Sequence, residues 1–224
     1  MRKADFQHHA RPWIYSFFSL QIGRFISFQH KLAFTKVKRG QKMTDGNDLP
    51  AGARLRRLEM HSDGRGCFTE IFRNNWSDGT LPMQWNAVSS RAGVLRGVHV
   101  HAGHDDLLVV VQGRAIIGLH DIRTTSPTFG LARTVKMCGA AQSSLFVPRG
   151  VAHGFYFPED SLMVYAVSAY WDLGDEIGCH WADRDLKIAW GIDHAITSPR
   201  DSTAGSFEDM CRSFGGKNHA TPGA

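Results

Sequence analysis

The sequence predicts an all-β domain, a jelly-roll sandwich or barrel, with a short helical or irregular C-terminal tail. Three observations predict it. Short runs dominated by Val, Ile, Phe and Tyr recur from residue 54 onward. Gly, Pro, Asp, Asn and Ser dominate the gaps between them. No long segment before residue 180 carries helical periodicity. Regularly spaced short strands of this kind build two packed sheets or a closed barrel.

Taken in order, "RLRRLEM" is followed by the turn "HSDGRG", and "CFTEIF" by "RNNWSDGTLP". Then come "MQWNAVSS", "GVLRGVHV", "DLLVVVQG", "RAIIGLHDI", "LARTVKM", "SSLFV", "AHGFYF" and "SLMVYAVSAYW". After "WADRDLKIAW" the pattern gives way to a polar tail, read as a short helix and loops over 206–224. There is no internal repeat and no sign of a second domain.

The chain of 224 residues has room for one domain with a real core. Its net charge of +5 is unevenly spread. Residues 1–42 hold nine Lys and Arg against one acid, Asp5, so the remainder carries seventeen bases against twenty acids, a net of −3. A mildly acidic body argues against nucleic acid as a partner. The aromatic stretch "RPWIYSFFSLQIGRFISFQHKLAF" is broken by Gln21, Arg24 and Gln29, so it is not a spanning helix, and no membrane partner is expected. Met43 is the expected natural start, with 1–42 a basic extension, disordered or over-extended, and 43–205 the folded domain. Cys67, Cys138, Cys179 and Cys211 lie far apart with no CxxC, which fits a reducing cytoplasm better than a disulfide framework.

Residues 93–113, "GVLRGVHVHAGHDDLLVVVQG", concentrate three histidines and two aspartates. Alternate residues of a strand share a face, so His99 and His101 point the same way. Gly93, His99, His101, Asp106 and Gly113 match the spacing of the first cupin motif, with Asp where Glu is usual. Pro148, Gly150 and His153 match the second. Ligands His99, His101, Asp106 and His153 would suit Fe, Mn, Ni or Zn, and a metal-dependent cupin such as a dioxygenase is one reading. His104 reads as a polar residue near a strand end.

A second reading covers more of the chain. "DGRGCFTEIF", "QWN", "GVLRGVH", "SPTFG", "VPRGVAHGF", "MVYAVSAYW", "DEIGCHW" and "LKIAW" occur in this order over about residues 54–203. Together they resemble the dTDP-4-dehydrorhamnose 3,5-epimerase family, a jelly-roll branch of the cupins. The resemblance implies a cofactor-free, metal-free isomerase of deoxysugar or rhamnose biosynthesis. Its substrate would be a 4-keto-6-deoxy nucleotide sugar, and it would work as a cytoplasmic homodimer, in some members with exchanged N-terminal strands. A 4-keto group acidifies the C–H bonds at C3 and C5. Inversion then needs a base, a proton donor on the opposite face and a partner for the enolate oxygen.

By that resemblance His99 is the base, Asp201 the carboxylate that pairs with it, and Tyr165 the proton donor. Arg65, Glu70, Gln84, Asn86, Arg96, His153 and Glu176 fall on positions that hold the substrate. Arginine suits the diphosphate because its planar fork grips two oxygens. One departure stands out. The family's lysine for the enolate falls on Asp106, and the arginine beyond it on Val109. A negative aspartate would oppose the enolate, which leaves three readings: an altered epimerase, a metal doing the lysine's work, or a non-catalytic sugar-nucleotide-binding cupin.

Overall fold

Short runs of apolar β-formers bounded by turn residues fold, among the described residues, into two five-stranded antiparallel sheets and a small hairpin. The computed structural model describes residues 48–77 and 81–218, so the reading of 1–42 as an extension lies outside the described residues. The strands are β1 (Arg54–Arg57), β2 (Met60–Asp63), β3 (Gly66–Thr69), β4 (Gln84–Ser90), β5 (Leu95–Val100) and β6 (Asp106–Gln112). They continue with β7 (Arg114–Asp121), β8 (Ala132–Cys138), β9 (Ser143–Val147), β10 (Val151–Tyr156), β11 (Ser161–Val167) and β12 (Ile177–Gly178). Two helices follow, α1 (Pro199–Ser202) and α2 (Phe207–Asn218).

The first sheet has the order β1-β9-β6-β11-β4 and the second β12-β5-β10-β7-β8, a jelly roll of the expected class. Their inner faces meet in a core of Leu108, Val110, Ile117, Leu119, Val135, Leu145, Val147, Phe157 and Met163. Each such side chain contributes about 1.5–3 kcal/mol when fully buried. The tight turn from β6 to β7 rests on Gly113, at φ +74°, where a Cβ would run into Ser161.

The second sheet is covered on both faces. Behind it Val98, Val100 and Ala152 pack against Cys179, Leu186, Ile188 and Trp190, and against Met210 and Phe214 of α2. The segment 206–224, read as a polar tail, therefore lends two side chains to a second core. The turn expected over "HSDGRG" is also shorter: Met60–Asp63 pairs with Gly66–Thr69, and only Gly64 and Arg65 lie between. Among the described residues no helix is long and apolar enough to cross a membrane.

Candidate active site

β5 runs between β10 and β12, so His99 lies opposite His153 on one side and Gly178 on the other. Gly97 brings the two long strands together. It sits at φ +112°, and a Cβ there would come within 2.9 Å of Gly154 Cα and of the His153 carbonyl. The register shifts between His153 and Phe155, beside this point. Downstream of it Val98 and Val100 face the rear core, which leaves His99 on the opposite face, its side chain 18% exposed.

Asp201 reaches His99 from more than a hundred residues away. "SPRD" starts a one-turn helix: Ser198 caps α1, Pro199 takes its first position, and the Ser198 hydroxyl accepts from the Asp201 amide at 3.1 Å. That turn buries Asp201 with Oδ1 2.9 Å from His99 Nε2, and Oδ2 accepts from the Gly97 amide at 3.2 Å. Burial pushes this carboxyl up. The hydrogen bond and charge of His99, the Gly97 amide and the Arg200 charge outweigh burial and hold it well below the usual carboxylate range.

Arg200 ties the cluster together, and sequence reasoning missed it. Its Nη1 donates to Glu176 Oε2 at 2.9 Å and its Nε to Asp201 Oδ1 at 3.2 Å. Its Nη2 also lies 3.0 Å from His99 Nε2. One ring nitrogen cannot both donate to Asp201 and accept from Arg200. The bond to buried Asp201 is the stronger, because it is charge-assisted and Arg200 already has two carboxylates. Nε2–H is thereby fixed on Asp201, and Nδ1, 3.5 Å from Glu176 Oε2, carries the lone pair. The available signal was adjacency to Asp201 in a helix-start motif.

Tyr165 faces the same interior from the first sheet, between Asn86 on β4 and Leu108 on β6. It packs on the inter-sheet core. Burial, then the negative charges of Asp106 and Glu176, raise its pKa, so the phenol keeps its proton at neutral pH. The substrate-binding candidates divide. Glu176 and His153 lie beside His99: His153 is its register partner on β10, Glu176 Oε2 is 3.5 Å from its Nδ1, and Glu176 Oε1 accepts from Trp171 Nε1 at 2.9 Å. Gln84 Nε2 donates to Asn86 Oδ1 at 3.0 Å, and its Oε1 accepts from the Trp171 amide at 3.0 Å. Arg96 Nε donates to Ser90 Oγ at 3.0 Å. Arg65 and Glu70 stand apart on the hairpin and its exit. Arg65, its side chain 92% exposed, pairs with Asp63, and Glu70 pairs with Arg73.

A second group lies deeper. His101, His104, Asp106 and His153 are each no more than 5% exposed. The rings of His101 and His104 stack with centroids 4.0 Å apart. Burial holds His101 down to about 2, and His153 to about 4, so both are neutral. Burial pushes Asp106 up to about 7. His104, read as a polar strand-end residue, is buried because Asp175 folds its loop inward. The Asp175 carboxylate accepts from the Ala102 and Gly103 amides, each at 2.9 Å, and lies 3.2 Å from His104 Nδ1. Of the ligand set expected from spacing, His99 is engaged elsewhere. His101, His104 and Asp106 come together instead, with ligand atoms within 4.8 Å of one another. A separate cavity of about 440 Å³ lies against the first sheet, lined by Leu55, Phe72, Trp76, Leu107 and Phe146; of the site residues only Asp106 borders it.

Comparison with known proteins agrees with this fold. The family profile described as dTDP-4-dehydrorhamnose 3,5-epimerase matches residues 50–209. The dTDP-4-dehydrorhamnose 3,5-epimerase of Streptomyces griseus is 33% identical over 172 residues, 72% of this chain and 85% of the relative. That of Neisseria gonorrhoeae is also 33% identical, over 66% of this chain, but the match spans only 48% of that longer relative. Among solved structures, dTDP-6-deoxy-D-glucose-3,5-epimerase from Legionella pneumophila, in complex with dTDP-4-keto-L-rhamnose, is similar at TM-score 0.65 and 29% identity. The match covers 69% of this chain and 87% of that one. On fold and sequence together, this chain belongs to the dTDP-4-dehydrorhamnose 3,5-epimerase family.

Proposed function

We propose that this epimerase-family enzyme inverts C3, C5 or both in a dTDP-linked 4-keto-6-deoxy sugar, in the cytoplasm, by proton abstraction and return. One observation carries the reading: the 2.9 Å bond from His99 to the buried, strongly acidic Asp201. In this reading Asp201 orients the ring and stabilises the imidazolium that forms, as a buried carboxylate does for a catalytic histidine. His99 Nδ1 takes the proton α to the ketone, with Glu176 Oε2 3.5 Å from that nitrogen. Tyr165 returns a proton from the other sheet.

Gln84, Asn86, Arg96, Glu176 and His153 line the substrate's path. Arg65 and Glu70, held in local ion pairs on the hairpin beside exposed Phe68, would serve the pocket of a second copy. This is the basis for proposing a homodimer. Residues 43–205 would form the catalytic body.

The decisive experiment is solvent deuterium incorporation at C3 and C5 of a dTDP-4-keto-6-deoxy sugar, read by NMR. Incorporation that collapses in His99→Ala is the expected result. Absence of exchange in the unaltered enzyme, or undiminished exchange in that variant, overturns the mechanism.

A further inference from the structure

We propose that His101, His104 and Asp106 bind a divalent first-row transition ion, with His153 at its open side. The proposal adds to the epimerase reading without depending on it. The three residues come from the loop after β5 and the first position of β6, and all are buried. Each offers a ligand atom within 4.8 Å of the other two. His101 Nδ1 is buried with no hydrogen-bond partner, a costly arrangement unless something occupies its lone pair.

The surrounding contacts are those that hold metal-ligating imidazoles. His104 Nδ1 is held by the Asp175 carboxylate at 3.2 Å, which turns its Nε2 toward Asp106 Oδ2 at 3.8 Å. His153 Nδ1 donates to the Val151 carbonyl at 3.0 Å, which leaves its Nε2 facing the same oxygen at 3.7 Å. Both gaps are too long for hydrogen bonds. Tetrahedral ligands at ordinary zinc distances stand about 3.3 Å apart, so small side-chain movements would close them on an ion. Two or three imidazoles with one carboxylate suit Zn²⁺, Co²⁺, Ni²⁺ or Fe²⁺ rather than Mg²⁺ or Ca²⁺. The set differs from the one expected from cupin spacing, because His99 is committed to Asp201 and His104 takes its place. A bound ion would put positive charge where the family's lysine gives way to Asp106.

The test is metal binding, read independently of turnover. Protein stripped with chelator and desalted is titrated with Co²⁺ and followed by visible absorption, and Zn²⁺ content is measured by elemental analysis after reloading. About one equivalent is expected. His101→Ala and His104→Ala should each weaken Co²⁺ binding by at least about 100-fold, while His99→Ala leaves it intact. Asp175→Asn, which removes no ligand, should weaken it by about 10–100-fold. This last variant keeps the test valid if an alanine variant fails to fold, as judged by circular dichroism. Less than about a tenth of an equivalent in the unaltered protein overturns the proposal. So does binding lost in His99→Ala and kept in His104→Ala. Deuterium exchange by stripped protein tests the epimerase reading separately, so either proposal can fail alone.

Discussion

His99 and His101 are two residues apart and live in opposite electrostatic surroundings. His99 is partly open to solvent and is flanked by the carboxylates of Asp201 and Glu176 and by the guanidinium of Arg200. His101 is buried, stacks on a second imidazole, faces a third and keeps one ring nitrogen without a partner. The first arrangement holds the ring in place against a buried carboxylate. The second strips the proton and leaves a lone pair. One short stretch of chain thus supplies a carboxylate-paired imidazole and a buried imidazole cluster; α1 brings Asp201 and Arg200 to the first, and the loop at Asp175 and Glu176 brings a carboxylate to each.

The comparison can be broken most severely at His99. His99→Ala should reduce deuterium incorporation into the keto sugar by about 10³-fold, the scale of a lost general base. If the charged half works through Asp201, Asp201→Asn should cost about 10²-fold in the same assay while substrate binding, measured by calorimetry, changes little. Tyr165→Phe sharpens the assignment of roles: net inversion should fall by about 10²-fold while wash-in of deuterium at the position His99 deprotonates persists.

Stability separates the halves more gently. In chelator, His101→Leu should change unfolding free energy by no more than about 1 kcal/mol, since it removes a buried nitrogen with no partner. Asp201→Ala should cost about 2–3 kcal/mol by urea melt, because it leaves the Gly97 amide and His99 without theirs. Asp121 offers a calibration away from the pocket. Burial pushes this carboxyl up, but hydrogen bonds from Arg123, Ser126 and Thr128 outweigh it and hold Asp121 at about 2, below its ordinary 3.8. It therefore contributes roughly 2 kcal/mol above pH 4, which is lost as pH falls from 3.8 toward 2. Asp121→Asn should flatten that acid limb of the stability curve.

The strands were legible because apolar β-formers bounded by turn residues are a local signal. "SSLFV" is β9 residue for residue, and "MQWNAVSS" overruns β4 only by Met83. The pairing of His99 with Asp201 was legible through their motifs. His104 was not, because its burial depends on a carboxylate about seventy residues away that no local pattern announces. Arg200 was missed for the same reason, although the Ser-Pro helix start beside it was visible. The spacing of Phe207, Met210 and Phe214 was an amphipathic signal hidden in a segment whose overall composition is polar.

The rear of the second sheet has a consequence for any shortened chain. A protein cut before Phe207 would retain every residue named in the candidate site. It would nonetheless lose Met210 and Phe214 from behind Val98 and Val100, roughly 4 kcal/mol of apolar cover in a fold whose whole margin is about 5–15 kcal/mol. The strand that carries His99 is braced from behind, by a helix that begins only after Asp201.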